Sequence, residues 1–243
     1  MNRIITSTLA FLVLAAALCA TTGLASAKEV NVTDKAFKFS KVKYWRGKAE
    51  NVRLGSYGEK KTNGAYLAGE ADIKAKHLSK NVKVVGPFSI NFKKFGKATF
   101  GGALKYLKAN GASSFSWKKA KNGKLKLVKF YINESPLKKL INKKANGALS
   151  YLKKEGSDGR VVSEIWVVVE AKFGETISKA GTFSVSSKNG NLKLTGGSNS
   201  STTVTLPAGS TFAYLMHKVK KWNKKSGKKT SINNMEDDQP GMR

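Results

Sequence analysis

The segment that decides the fold is residues 161–170, which have the sequence VVSEIWVVVE. Apolar side chains follow one another here, without the alternation that a strand with one wet face would show. A short run of this kind, rich in β-branched residues, predicts a strand that is covered on both faces. The segments around it should then show how the rest of the sheet is built.

Segments in which apolar and polar residues alternate predict further strands on either side of this one. They include 82–93 and 124–132, and a period of two is typical of a strand with one buried and one wet face. Two Asn-Gly pairs, at 122–123 and 189–190, stand between such segments. Because Asn-Gly favours the positive φ angles of a tight turn, each pair predicts a β-hairpin.

Two amphipathic helices are predicted between the strands, at 100–109 and 136–154. Both segments have apolar residues at the spacing of one helical face. Ser135 is a candidate N-cap of the second helix, and Pro136 would occupy its first position. The chain is therefore predicted to be an α+β protein: a single domain with a twisted antiparallel sheet, two amphipathic helices and a short polar C-terminal tail.

Residues 1–27 have the pattern of a secretory signal peptide. Arg3 gives a positive start, residues 9–20 are apolar, and Ala25-Ser26-Ala27 matches a small-residue cleavage site. The apolar run is shorter than the roughly 20 residues that a membrane-spanning helix needs. We therefore expect the mature protein to be secreted or periplasmic after cleavage near Ala27.

The mature chain is predicted to divide into a domain at 28–222 and a polar tail at 223–243. Lysines dominate the start of the tail, and Gly and Pro are interspersed along it, a composition typical of a flexible terminus. The acidic run Glu236-Asp237-Asp238 leaves a second arrangement open, in which the end of the chain folds back onto the basic body.

Charge is the strongest functional signal in the composition. The chain has 45 Lys and Arg against 15 Asp and Glu, which gives a formal net charge of +30. Cleavage of the signal peptide would remove one positive charge, that of Arg3. A field of this size attracts polyanions. The hydrophobic fraction of 40%, with 12 Phe, 7 Tyr and 4 Trp, is enough for one sizeable core and excludes a disordered basic tail.

The sequence has no recognisable catalytic, metal-binding or cofactor-binding motif. The only cysteine, Cys19, lies within the signal peptide, and His77 and His217 stand in no ligand spacing. Neither a nucleophile elbow nor a P-loop occurs. We therefore predict a protein that is not an enzyme, with no cofactor and no metal site, and a structural role for His217.

Three segments combine basic with aromatic residues, beginning at positions 41, 91 and 217. Lysine and arginine bind phosphate, while aromatic rings stack on bases or sit at a membrane interface. We predict that the contacts to membrane or polyanion are made by Lys41, Lys43, Tyr44, Trp45, Arg46, Lys48, Phe92, Lys93, Lys94, Phe95, Lys218, Lys220, Lys221 and Trp222.

Several anionic partners are open to an exported cationic protein. Anionic lipid, lipopolysaccharide and teichoic acid fit export best. Nucleic acid is less favoured, because export separates the chain from cytosolic nucleic acid and no binding motif of known spacing is visible. Each lysine brought to an anionic membrane contributes about 1 kcal/mol, so a face with a handful of lysines suffices for adsorption.

Four features follow one another in the second half of the chain. They are a helix start SPLKKL at 135–140, a strand WVVVE at 166–170, a looser hairpin at 180–195 and the segment VTLPAGSTFAY at 204–214. In this order they resemble the pore-forming domain of the gasdermins, over about residues 135–220. The resemblance implies an α+β domain whose hairpins lengthen on membranes and assemble into an oligomeric pore, with basic residues meeting acidic lipid headgroups.

The predicted function is therefore that of an exported, cationic, membrane-directed protein, which forms pores by inserting β-hairpins into anionic lipid. The alternative is a binding module that never inserts and holds envelope polyanions such as lipopolysaccharide, teichoic acid or extracellular nucleic acid. Leakage of dye from anionic vesicles distinguishes the two, because only the pore-forming protein would release the dye.

Overall fold

The computed structural model describes residues 30–33, 35–61, 66–89, 125–197 and 202–242. Within these residues, thirteen strands form one sheet, and four short α-helices pack against it. Several predictions lie outside the described residues; they are the signal peptide, the helix at 100–109, the hairpin at 122–123 and the candidate contacts Phe92, Lys93, Lys94 and Phe95.

The secondary structure elements are numbered in chain order. The strands are β1 (Val30–Val32), β2 (Ala36–Phe39), β3 (Val42–Trp45), β4 (Ser56–Lys61), β5 (Tyr66–Asp72), β6 (Val82–Ser89), β7 (Leu125–Tyr131), β8 (Gly159–Glu170), β9 (Thr182–Lys188), β10 (Asn191–Gly196), β11 (Thr203–Leu206), β12 (Thr211–Lys225) and β13 (Lys228–Asp238). The helices are α1 (Ala75–Leu78), α2 (Glu134–Lys144), α3 (Asn146–Glu155) and α4 (Ala171–Ala180).

The prediction of an α+β fold is wrong. Strands make up 56% and helices 23% of the described residues, so the protein is mostly antiparallel sheet. The sequence patterns predicted fewer strands than the structure has, for two physical reasons. Strands such as β1 and β11 have only three or four residues, too few for a period of two to be visible. Strand β13 has polar residues on both faces and therefore shows no regular alternation.

Strands β8 and β12 form the centre of the sheet. They pair with each other, and the other edge of each pairs with two different strands. Strand β8 pairs with β12 along one edge, and along the other with β4 near Gly159 and with β7 from Glu164 onward. Strand β12 pairs with β3 at Tyr214 and with β13 from Met216 onward. All β8 side chains except Glu164 and Glu170 are buried, which confirms the predicted strand that is covered on both faces.

Aromatic rings cluster around Trp166 in the middle of β8. The ring centroids of Phe37, Phe39, Tyr44 and Phe88 lie 5.2, 4.7, 5.3 and 5.6 Å from that of Trp166. Each such pair adds about 0.5–1.5 kcal/mol to the free energy gained from burying its surface. The short hairpin β2–β3 is therefore fixed to the centre of the sheet mainly by its aromatic side chains.

The hairpin predicted at 189–190 is confirmed. Strands β9 and β10 pair in an antiparallel register on either side of this turn. Asn189 has a φ of 50° and Gly190 a φ of 75°, as the Asn-Gly signal requires.

The predicted helix at 136–154 is two helices, α2 and α3, which meet at Ala145. This residue has a φ of −115° and a ψ of 60°, outside the helical range, so the chain changes direction there. Helix α2 also begins earlier than predicted, at Glu134, and Asn133 rather than Ser135 occupies the N-cap position.

The prediction of a polar tail from position 223 is also wrong. Strand β12 continues through Lys225, and β13 turns back along it with Ile232, Met235 and Asp238 buried. Acidic side chains at the end of β13 form ion pairs with basic side chains of the sheet. The structure therefore has the arrangement in which the acidic end folds back onto the body.

Candidate polyanion-binding groove

A groove runs between α1 and the helix pair α2–α3. A cavity of about 440 Å³ lies between α1 and α2, and a second of about 240 Å³ continues it towards the start of α3. Because Lys76, His77 and Lys144 line both cavities, the two form one continuous groove. We call it the lysine groove; its basic residues are Lys74, Lys76, His77, Lys139, Lys143 and Lys144.

The positive charge of the lysine groove is not compensated. All five of its lysines are exposed, and within the described part of the chain none of them forms an ion pair. Asp72 is the acidic residue that lines the smaller cavity. Its carboxylate already accepts a hydrogen bond from Ser56 Oγ at 2.5 Å and pairs with Arg53 Nη1 at 3.3 Å. Anions in the groove would therefore meet cations on both walls.

One wall of the groove is the single turn of α1. Ile73, just before this turn, and Leu78, at its end, are buried and fix it to the body. Gly55 makes the close approach of Leu78 possible, because a Cβ at this position would lie 3.1 Å from both Leu78 methyl carbons. With these two apolar residues turned inward, Lys74 and Lys76 are left exposed to solvent.

The other wall is the outer face of α2. Leu137, Leu140 and Ile141 bury the inner face of the helix. Lys139 and Lys143 are four residues apart and therefore lie one above the other, about 6 Å apart along the helix axis. Two cations in a row along one wall suit a ligand that carries successive negative charges.

The groove also offers neutral hydrogen-bonding groups. Ser79, Asn81 and Ser135 line the larger cavity between the lysines. Hydroxyl and amide groups can donate to oxyanions alongside the ammonium groups. The arrangement can therefore hold a phosphate-, sulfate- or carboxylate-bearing chain by charge and hydrogen bonds.

His217, by contrast, lies in the sheet and does not line the groove. Its Nε2 is 3.2 Å from Asp237 Oδ1, while its Nδ1 is buried with no hydrogen-bond partner among the described residues. Burial lowers the pKa of His217, and the nearby carboxylates of Asp237, Glu134 and Glu164 act in the opposite direction. Within the described residues, no group of three or more His, Cys, Asp and Glu could hold a metal ion.

The aromatic members of the first predicted contact cluster are part of the core. Tyr44 and Trp45 are 3% and 5% exposed. Trp45 Nε1 donates a hydrogen bond to the backbone oxygen of Asp238 at 2.6 Å. Burial is also the main cause that raises the pKa of Tyr44 far above its usual value. Both rings thus have structural contacts that hold the body together.

The basic members of the same cluster lie at the surface of the protein. Arg46 stacks on Phe212, with its guanidinium carbon 4.4 Å from the ring centroid, and donates to the backbone oxygen of Thr33 at 2.8 Å. Lys48 Nζ lies 4.1 Å from the ring centroid of Tyr66. The other two lysines of the cluster, Lys41 and Lys43, are exposed.

The third predicted cluster is on β12, next to the acidic end of β13. Lys218 and Lys220 both bind the Glu236 carboxylate, at 3.1 and 3.0 Å. The hydrogen bond from Lys220, and to a lesser extent the one from Lys218, lowers the pKa of the Glu236 carboxyl. Trp222 is half-buried, with Lys229 Nζ 5.4 Å from its ring centroid, and Lys221 is exposed.

Sequence reasoning missed the lysine groove. The spacing of Lys139 and Lys143 was visible, but it also describes the ordinary solvated face of a helix. The dense basic stretch at 74–77 was a second visible signal. Nothing in the sequence showed that these two segments, about 60 residues apart, lie on facing walls.

Comparison of the chain with protein-family models, with curated proteins and with solved structures finds no match. The resemblance to gasdermins over about residues 135–220 therefore stays a prediction. Among the described residues, none of the helices has the length and apolarity needed to cross a membrane.

Proposed function

We propose that this chain is an exported, non-enzymatic module that binds linear polyanions of the cell envelope in the lysine groove, without entering the membrane. The observation that supports this proposal is the convergence of five unpaired lysines on one concave surface. A flexible anionic chain can enter such a groove and contact both walls, whereas a flat bilayer cannot.

Among the predicted membrane-facing rings, those within the described residues are buried or half-buried, which favours binding without insertion. Tyr44 and Trp45 are in the core, and Trp222 is half-buried. Among the described residues, the large hydrophobic side chains that are exposed are Val85 and Met242. Within the described part of the chain, two such side chains are too few to form the apolar surface that entry into lipid requires.

The proposal is tested by measuring affinity for a single-stranded oligodeoxythymidine, a polyanion of defined charge density, as salt is raised. The triple variant K139Q/K143Q/K144Q removes three charges from one wall, and glutamine preserves the helix. If all three lysines contact phosphates, the slope of log affinity against log salt should decrease by about 2. Polyphosphate and lipoteichoic acid are then tested as competitors.

The matched control is K172Q/K179Q/K193Q, which removes the same charge from exposed positions on α4 and β10. Equal losses of affinity in the two triple variants would mean that net charge alone attracts the polyanion, and would reject the groove. Release of dye from anionic vesicles by the unmodified protein would reject binding without insertion and favour the pore-forming alternative.

A further inference from the structure

Strands β12 and β13 continue beyond the centre of the sheet as a two-stranded ribbon, residues 219–235. Strand β8 pairs with β12 only as far as Lys218. From Val219 onward, β13 is the only strand in the described residues that pairs with β12. We call this segment the lysine ribbon, because it has six lysines and no acidic residue; the lysines are Lys220, Lys221, Lys224, Lys225, Lys228 and Lys229.

The tip of the lysine ribbon places like charges opposite one another. Lys224 is paired with Lys229, and Lys225 with Lys228. Like charges directly opposite across two strands are destabilising. The turn residues between them, Ser226 and Gly227, have φ angles of 50° and 75°, which fit a tight two-residue hairpin turn. This turn holds the two lysine pairs opposite one another. A local cost of this kind is expected where function requires it.

The lysines at the tip are free to meet a ligand. Lys224, Lys225 and Lys228 are exposed and form no ion pair among the described residues. Lys229 is different, because its Nζ donates to the backbone oxygen of Lys153 at 3.2 Å and so ties the ribbon to the end of α3. Three exposed cations therefore lie at the tip of a ribbon that is held at Lys229.

We propose that the tip of the lysine ribbon docks on the surface of an anionic phospholipid bilayer. The tip is a two-residue hairpin turn, so it cannot surround a polymer chain as the lysine groove can. Lysine ammonium groups on flexible stems behave as point charges and need no fixed geometry in their partner. An anionic bilayer surface offers many charges at no fixed position, and each lysine near it strengthens binding by about fivefold.

Docking at the ribbon is shallow. The aromatic side chain of the ribbon is Trp222, which is half-buried and has Lys229 over its ring. The outermost residues are Lys, Ser and Gly, which have no affinity for the hydrocarbon interior. The ribbon also lies on a different side of α2 from the groove: Lys138 Nζ donates to Asn233 of the ribbon at 2.8 Å, while Lys139 lines the groove. The two surfaces can therefore be tested separately.

The experiment is co-sedimentation of the purified protein with vesicles of phosphatidylcholine, with and without phosphatidylglycerol. We compare the unmodified protein with K224Q/K225Q/K228Q and with the charge-matched control K172Q/K179Q/K193Q. The ribbon variant should lose roughly 100-fold in partition to the anionic vesicles, and the control much less. Neutral vesicles should retain little of any protein, and binding to anionic vesicles should weaken with salt.

Equal losses in the ribbon and control variants would overturn the proposal, as would tight binding to neutral vesicles. The same proteins are also tested on a short DNA duplex, because a two-stranded ribbon fits the major groove. A ribbon variant that loses duplex binding but keeps vesicle binding would likewise overturn membrane docking. The groove variant K139Q/K143Q/K144Q should bind anionic vesicles much more tightly than the ribbon variant does. Vesicle binding therefore tests the ribbon even if the proposed function of the groove fails.

Discussion

Asp238 connects four strands through one buried side chain and its backbone. The carboxylate, 3% exposed, accepts hydrogen bonds from Lys60 Nζ at 2.9 Å and from Arg160 Nε, on β4 and β8. The backbone oxygen accepts from Trp45 Nε1 on β3. Because Arg160 is itself buried, the carboxylate compensates a charge that water cannot reach.

We expect D238N to destabilise the protein by about 3 kcal/mol, because Arg160 and Lys60 would lose their counter-charge in a buried site. The free energy of unfolding is measured by urea denaturation. The control is D237N, whose carboxylate is 42% exposed, and it should cost less than about 1 kcal/mol. Similar values for the two variants would show that the buried pair does not hold the end of β13.

His217 should make the protein less stable in mild acid. Burial lowers the pKa of His217 below the ordinary value of 6.5, although Asp237, Glu134 and Glu164 face it from β13, α2 and β8. As the pH falls through 6.5, the unfolded chain takes up a proton that the folded protein resists. The unfolded state is therefore favoured progressively between neutral pH and the lowered pKa.

We expect the free energy of unfolding to decrease between pH 7.5 and pH 5.5, and to decrease less in H217Q, which has no imidazole to protonate. Urea denaturation at both pH values measures the difference. A variant with the same pH dependence as the unmodified protein would assign the acid sensitivity to other groups.

At the scale of elements, one face of α2 covers the outer edge of β13. Glu134, Lys138 and Asn142 are spaced four apart, and all three bond to the backbone of β13. Asn142 acts like a neighbouring strand: its Nδ2 donates to Ile232 O at 2.9 Å, and its Oδ1 accepts from Ile232 N at 2.8 Å. An edge strand covered in this way cannot pair with another chain.

We expect N142A to cost about 2 kcal/mol, because both backbone groups of Ile232 lose their partner. Hydrogen exchange at the Ile232 amide should accelerate, which reports directly on the uncovered edge. The matched control is K143A, an exposed neighbour in the same helix. An unchanged Ile232 amide in N142A would mean that the edge is protected without this side chain.

Local signals in the sequence predicted the elements whose cause is local. The Asn-Gly turn at 189–190 and the two-face-buried β8 were both evident, because turn chemistry and burial act on neighbouring residues. The break at Ala145 was missed, although the next residues, Asn146 and Gly147, are weak helix formers. Strand β13 was missed because its residues do not alternate, and because α2, far away in sequence, supplies the partners that its backbone groups need.

The candidate site was less predictable than the fold. Tyr44 and Trp45 looked like a membrane-facing rim in sequence, because an aromatic beside lysines has the same pattern whether it faces lipid or the core. Their burial depends on Trp166 and Asp238, more than 100 residues away. The lysine groove likewise depends on how α1 and α2 are placed in space, which no local pattern encodes.

At the scale of the whole molecule, a net charge of +30 on a 243-residue chain sets the energetic background for both proposed surfaces. Uncompensated lysines in the groove and at the ribbon tip repel one another and the rest of the body, which weakens the folded state. Several of the few carboxylates already pair with basic side chains of the sheet, as Asp238 does with Arg160 and Glu236 with Lys220. Within the described residues no carboxylate pairs with the groove lysines or with the three exposed lysines of the tip, so salt ions or an anionic ligand would relieve the repulsion there.

This repulsion predicts the sign of the salt effect on stability. The melting temperature should rise as sodium chloride is raised from low to physiological concentration, by about 2–4 °C for each kcal/mol of repulsion that is screened. Polyphosphate at low concentration should raise it further by binding the folded protein, and K139Q/K143Q/K144Q should lose most of that further rise. The charge-matched control K172Q/K179Q/K193Q should keep it. A melting temperature that falls with salt would show that attractive ion pairs, rather than lysine repulsion, dominate the folded state.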